Sequence, residues 1–166
     1  DPLLTLTCPP ELTAACGIDA FSQLLEAYVS DNASPFTDSL AFEALRCVKN
    51  SLLTAYHESD NLEARSRMAY ASLISGICLA NAGLGIVHGF ASSVGGYFDI
   101  PHGVVCGTLM GASTRINIEK LIETSPKHIA LKKYARVGRL FTSHRERDHI
   151  CYARNLAQTI EKWTSD

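Results

Sequence analysis

Apolar positions along this chain recur at helical spacing, and alternation with a period of two never lasts beyond a few residues. Cys8-Pro9-Pro10 is read as the close of an extended entry, followed by a short helix from Glu11 to Cys16 that Gly17 stops. Ile18 to Val29 then reads as a second helix, with Phe21, Leu24, Leu25 and Tyr28 turned to the core. Asp31 to Pro35 is a turn, after which Ser34 or Thr37 caps a long helix through Tyr56. Glu58-Ser59-Asp60-Asn61 breaks that helix, and Asn61 caps the next, which runs to about Ala82. Its many small residues let helices approach closely, so it is expected at the centre of a bundle. Gly83 and Gly85 interrupt before a helical stretch around Ile86 to Val94. Gly95-Gly96 then leads into a loop holding Asp99-Ile100-Pro101-His102-Gly103, and a helix follows to about Asn117. Pro126 opens a further helix with Lys132, Lys133 and Arg136 on its solvated face. The last helix, roughly Arg145 to Thr164, sets Ile150, Leu156, Ile160 and Trp163 against charged positions. The pattern predicts one all-α domain, a helical bundle over residues 1–166.

Length and composition narrow this further. A chain of 166 residues supports one domain with a substantial core, and 46% hydrophobic with 19% charged residues is a globular balance. A net charge of −2 gives no basic footprint for nucleic acid or an anionic membrane. No apolar run approaches the roughly 18 residues of a membrane span, and no charged-then-apolar leader follows Asp1-Pro2. The cysteines Cys8, Cys16, Cys47, Cys78, Cys106 and Cys151 form no CxxC pair and sit in apolar neighbourhoods. They are expected to be buried, reduced thiols, which suits a cytoplasmic protein. Asp166 closes an amphipathic helix without a stop signal and Asp1 opens mid-approach, so the chain is expected to be a piece cut at both ends.

Three places could carry chemistry. Asp19 and Gln23 stand four apart and share a helical face, with Glu26 a turn further on. A carboxylate on an otherwise apolar face needs a partner, and either a metal ion or a helix cap at Gly17 would supply one. His88 lies in Gly85-Ile86-Val87-His88-Gly89, and His102 in Pro101-His102-Gly103. One histidine on an apolar helix is usually a satisfied core residue. Two, flanked by glycines that admit backbone or ligand, leave both a core and a metal reading open. His57, His128, His144 and His149 lie among charged residues at helix ends and read as surface.

The order of these segments resembles a known family. Pro9 followed by Gly17-Ile18-Asp19-Ala20 and Glu26 is similar to the first signature of the iron-containing alcohol dehydrogenases. Asn81-Ala82-Gly83-Leu84-Gly85-Ile86-Val87-His88-Gly89, through Gly95-Gly96 to Pro101-His102-Gly103, resembles the second. Pro35-Phe36-Thr37-Asp38 and Glu63 to Met68 fall where the family has comparable segments, so the likeness covers nearly the whole chain.

The resemblance implies the C-terminal helical domain of the dehydroquinate synthase-like fold, with the N-terminal nucleotide-binding domain absent from this sequence. It implies a divalent metal, Fe²⁺ first and Zn²⁺ second, held by Asp19, Gln23, His88 and His102. It also implies an NAD(P) cofactor bound mainly by the other domain, a small alcohol or aldehyde as substrate, and a dimer for the whole enzyme. The chain has no strand followed by a glycine-rich turn to cradle the cofactor phosphates, so by itself it is expected to be inactive.

Two positions depart from the family pattern. Gln23 stands where the family has a metal-ligating histidine, and a neutral amide oxygen is a weaker donor than imidazole, which predicts a loosely held metal. Ser92 stands where the family commonly has a histidine near the nicotinamide, and its hydroxyl can relay a proton only through water. Ser92 is therefore both the catalytic and a cofactor-side candidate, and Gly85 a second cofactor-side one. Phe21, Phe90 and Tyr97 are candidates for the substrate wall. A metal-independent reductase resembling the maleylacetate reductases, and a non-catalytic binding or oligomerisation module, are the competing functions.

Overall fold

The computed structural model of the chain describes residues 1–143 and 148–165. They are helical throughout, with no strand among the described residues. The chain packs as two compact units, Asp1–Cys106 and Gly107–Asp166.

The first unit opens on a short 3-10 turn, Pro2–Thr5, where the sequence suggested an extended entry. Asp1 caps this turn by accepting a hydrogen bond from the Leu3 amide at 2.9 Å, and Pro2 supplies the preset φ of a first helical position. The helix α1 then runs unbroken over Pro10–Val29. The expected stop at Gly17 does not occur. Gly17 is buried mid-helix, and a Cβ there would collide with Leu52 Cδ1 and lie 3.4 Å from Met68 Cε. It serves close packing between helices, not chain termination. With the stop gone, a cap at Gly17 no longer explains Asp19.

Helix α2 (Pro35–His57) begins in a capping box: the Thr37 amide donates to Ser34 Oγ at 3.2 Å, and the Ser34 amide donates to Thr37 Oγ1 at 2.8 Å. Helix α3 (Leu62–Ala82) is capped by Asn61, whose Oδ1 accepts from the Ala64 amide at 3.0 Å. Helices α1, α2 and α3 pack against one another. The centre of the unit is α1, not α3. Phe21, Leu24, Leu25 and Tyr28 of α1 are at most 2% exposed, and burying such side chains stabilises by about 1.5–3 kcal/mol each. Helix α3 keeps one face open, with Leu73 at 64% exposure, because its small residues lie on both faces and define no single buried stripe. Arg65 of α3 is buried and ties the segment before α1 and the α2–α3 loop to α1, donating to Thr13 Oγ1 at 2.7 Å and to the Ser59 and Cys8 carbonyls at 2.9 and 3.2 Å.

Gly83 ends α3 at φ 70°, a conformation that favours glycine, and the chain turns through 102° into α4 (Ile86–Tyr97). Gly95 and Gly96 belong to the last turn of α4 instead of opening the loop. Helix α5 spans His102–Thr124, starting earlier and ending later than its apolar pattern suggested. Among the described residues no single helix is long and apolar enough to cross a membrane.

The second unit holds the remainder of α5 with α6 (Ile129–Phe141) and α7 (His149–Trp163). His128, expected as a surface residue, caps α6 by accepting from the Ala130 amide at 3.2 Å. Helices α6 and α7 pack closely at Gly138, where a Cβ would strike the Tyr152 carbonyl. Arg154 clamps Glu119 of α5 with two hydrogen bonds of 2.7 and 2.8 Å. Asp148 caps α7. The expected helix start at Arg145 and the surface position of His144 lie outside the described residues.

The thiols only partly match their expected burial. Cys78 and Cys106 are buried, Cys16 is exposed, the other three are half-buried, and none of the six forms a disulfide.

Candidate metal centre

Everything at the candidate site belongs to the first unit. Helix α1 presents Asp19, Gln23 and Glu26 along one face, α4 presents His88, and the start of α5 presents His102 and Cys106. Two glycines let these elements meet. A Cβ at Gly103 would collide with the Ala15 carbonyl oxygen of α1, so α5 reaches the backbone of α1 only because position 103 is bare. A Cβ at Gly85 would stand 2.8 Å from Glu26 Oε1, so the bare residue before α4 admits the Glu26 carboxylate.

Glu26 has two tasks there. It caps α4 from a different helix, accepting from the Val87 amide at 2.7 Å and the His88 amide at 3.4 Å, where the positive end of the helix dipole favours a carboxylate. Its Oε2 also lies 2.8 Å from His88 Nδ1. A proton on Nδ1 satisfies that contact and leaves Nε2 for the cluster. His88 Nε2 faces Asp19 Oδ1 at 3.1 Å, and His102 Nε2 lies 3.6 Å from the same oxygen. Cys106 Sγ stands 3.4 Å from His102 Nε2 and 3.7 Å from His88 Nε2.

The electrostatics are those of a charged cluster under partial cover. Burial works against the imidazolium of His88, but the hydrogen bonds to Asp19, Cys106 and Glu26 prevail and push it up to about 11. Burial likewise works against the Asp19 carboxylate, yet the hydrogen bond from His88 and the charges of His102 and His88 hold it below its ordinary value. The His88 side chain is 9% exposed, Asp19 25% and His102 46%, so the cluster is closed behind His88 and open on the His102 side.

Asp19, His88, His102 and Cys106 each offer one donor atom, and these four atoms lie within 4.8 Å of one another. A carboxylate, two imidazoles and a thiol with one histidine backed by an outer carboxylate are a donor set suited to a divalent ion such as Zn²⁺ or Fe²⁺. Against this geometry the comparisons with known proteins are decisive. The model of the Fe-containing alcohol dehydrogenase family, C-terminal, matches residues 13–165. The chain belongs to the iron-containing alcohol dehydrogenase family.

Within that family it is similar to a 1,3-propanediol dehydrogenase of Citrobacter freundii, 46% identical over 118 residues, covering 71% of this chain and 30% of that protein. It is also similar to alcohol dehydrogenase 4 of Saccharomyces cerevisiae, 38% identical over 119 residues, covering 72% of this chain and 31% of that one. The crystal structure of a 1,3-propanediol oxidoreductase superposes with a TM-score of 0.89 at 36% identity, covering 99% of this chain and 41% of that chain. The chain thus spans between about three and four tenths of the length of these relatives. The all-helical fold expected from the sequence is the helical part of the iron-containing alcohol dehydrogenase fold.

The structure brings Asp19, His88 and His102 together, as the sequence suggested. Gln23 is beside them, with Nε2 donating to Asp19 Oδ2 at 3.1 Å and Oε1 2.8 Å from the Ser75 hydroxyl. Ser92 lies one turn past His88 on α4 and donates to the His88 carbonyl at 2.8 Å. Phe21 is wholly buried in the core and cannot line a substrate wall, whereas Phe90 and Tyr97 are 55% and 86% exposed. Sequence reasoning placed Glu26 on the right face without a role and read Cys106 as packing. Cys106 was legible in principle: it follows His102 by four, a helical pair on one face, once α5 is known to begin at His102.

Proposed function

We propose that this chain is the metal-holding part of an NAD(P)-dependent alcohol dehydrogenase or aldehyde reductase, with Asp19, His88 and His102 as ligands of a divalent cation. One observation carries the reading: His88 is held between Glu26 on Nδ1 and Asp19 on Nε2, with the His102 imidazole and the Cys106 thiol turned to the same point. A chance surface group of histidines would have no such backing. The wide homology to alcohol and propanediol dehydrogenases supplies the reaction class.

A bound Fe²⁺ or Zn²⁺ would supply Lewis acidity toward the substrate oxygen. The chain's own residues do the positioning. Glu26 fixes the ring of His88, Asp19 brings a negative charge to the cluster, and the burial behind His88 keeps water from one side. The exposed side at His102 is where a small alcohol or aldehyde enters, with Phe90 and Tyr97 as candidates for its apolar wall. Ser92, exposed one turn past His88, is our candidate for passing a proton to water, and the exposed Gly85 backbone is our candidate contact for the nicotinamide cofactor, whose main binding surface lies outside this chain. A cytoplasmic homodimer is the assembly we expect for the whole enzyme.

The test measures metal content after exhaustive dialysis, for the wild-type protein and His88→Ala, together with NAD(P)H oxidation by short aldehydes in the whole enzyme that carries this chain. Near-stoichiometric metal lost in the variant, and activity removed by a chelator and restored by Fe²⁺ or Zn²⁺, are expected. Aldehyde reduction that survives complete metal removal would refute the metal-dependent reading.

A further inference from the structure

We propose that the fourth protein ligand of this site is the Cys106 thiolate, and that Gln23 holds the Asp19 carboxylate in place without ligating the metal itself. The inference rests on the metal-binding function proposed above and changes the donor set that the family resemblance implies. Its ground is the geometry of four atoms. With bonds of about 2.0–2.2 Å to nitrogen and oxygen and about 2.3 Å to sulfur, tetrahedral ligation puts N and O donors about 3.4 Å apart and N and S donors about 3.6 Å apart. The separations here are 3.1 and 3.6 Å from Asp19 Oδ1 to the Nε2 atoms of His88 and His102. From Cys106 Sγ to the same two nitrogens they are 3.7 and 3.4 Å. Four of the six donor pairs thus stand close to ligand spacing, in a set whose atoms all lie within 4.8 Å of one another, and Cys106 is wholly buried with its sulfur turned to that set.

Gln23 is arranged differently. Its Oε1, the atom that would ligate, lies against the Ser75 hydroxyl at 2.8 Å, and the amide nitrogen faces Asp19 Oδ2 at 3.1 Å. That contact engages the carboxylate oxygen that the histidines leave free, so Oδ1 stays on the cluster. For Gln23 to bind metal the amide must turn over and Ser75 must become its hydrogen-bond acceptor. Cys106 needs only to release its thiol proton.

The consequences are chemical. Asp19 and Cys106 bring two negative charges, so a divalent ion is neutralised, whereas an Asp, Gln, His, His set leaves it with one positive charge. A thiolate is also a softer donor, so the site selects Zn²⁺ over Mn²⁺ more strongly than an oxygen and nitrogen set does.

The experiment is zinc K-edge X-ray absorption of the zinc-loaded protein, with Cys106→Ser, Gln23→Leu and Gln23→His as variants. Zinc alone is the probe. One sulfur at about 2.3 Å beside nitrogen and oxygen at about 2.0–2.1 Å is expected in the wild type. The sulfur shell should be absent in Cys106→Ser, with a fall in zinc affinity beyond the roughly 10–100-fold typical of losing an outer partner. Gln23→Leu should keep the sulfur shell, and Gln23→His should tighten zinc less than threefold. Bound zinc with only nitrogen and oxygen neighbours in the wild type would overturn the Cys106 assignment while leaving a metal site intact. A Gln23→Leu protein that loses zinc while Cys106→Ser retains it would overturn it as well. No zinc bound by the wild type at all would sink the metal reading itself. The wild-type spectrum decides even if Cys106→Ser does not fold.

Discussion

Gly103→Ala tests whether a single missing Cβ assembles the site. A Cβ on residue 103 would stand 2.6 Å from the Ala15 carbonyl carbon and 3.2 Å from its Cα, with the carbonyl oxygen closer still. These are backbone atoms in the middle of α1 and cannot swing aside as a side-chain tip can. Ordinary carbon contacts need about 3.5–4.0 Å, so the start of α5 must retreat by roughly 1 Å. Overpacking of this kind costs about 1–3 kcal/mol, and the better helix propensity of alanine returns up to about 1 kcal/mol. The net expectation is a loss of about 1–2 kcal/mol, or roughly 2–8 °C in Tm for a chain of this size. The larger effect falls on function, because His102 and Cys106 ride on the displaced turn. A shift near 1 Å greatly exceeds the tolerance of about 0.2 Å for metal–ligand distances. Metal affinity should therefore fall by 100-fold or more, out of proportion to the stability change. Gly76→Ala is the control, since a Cβ there meets nothing within 4 Å and the helix should gain about 0.5–1 kcal/mol. Thermal unfolding and metal titration of both variants give the answer. A Gly103→Ala protein as stable as wild type, with unchanged metal affinity, would refute the close-approach argument.

Three further outcomes follow from the same structure. Glu26→Gln keeps the size of the side chain but removes the carboxylate from His88 Nδ1 and from the first turn of α4, and isothermal titration should show metal affinity reduced by roughly 10–100-fold. Arg65→Met leaves the Thr13 hydroxyl and the Cys8 and Ser59 carbonyls without their donor, and urea unfolding should show a loss of about 1–3 kcal/mol, with a neutral result counting against a buried anchor. Asp148 is held below the usual carboxylate range, chiefly by the Cys151 amide that it caps. A depressed folded value means that its stabilisation is complete above the unfolded carboxylate range and is lost as pH falls through the folded value. Hydrogen exchange at the Cys151 amide should thus show excess opening in acid in the wild type, and an Asp148→Asn protein should lack that pH dependence.

Much of the fold was written locally. The capping box at Ser34 and Thr37, the Asn61 cap and the buried face of α1 are short-range features, and each was readable from residue type and spacing. The errors share one cause. Gly17 looks like a helix stop because glycine is a poor helix former, but its role depends on Leu52 and Met68, far away in sequence. The small residues of α3 suggested a central helix, yet small side chains permit close approach without requiring it, and α1 took the centre through its larger apolar face.

The site divides the same way. By itself the sequence determined that the chain is helical, that Asp19, His88 and His102 stand out, and that their order is that of iron-containing alcohol dehydrogenases. Helical period, capping chemistry and motif spacing are properties of neighbouring residues, so they survive in one dimension. Only the tertiary structure decided that Cys106 joins those three, that Glu26 backs His88 across 62 positions of chain, and that Gln23 turns its amide nitrogen to Asp19. Such contacts depend on how closely α1, α4 and α5 approach, and that distance is set by the bare backbone at Gly85 and Gly103 meeting atoms remote in the sequence.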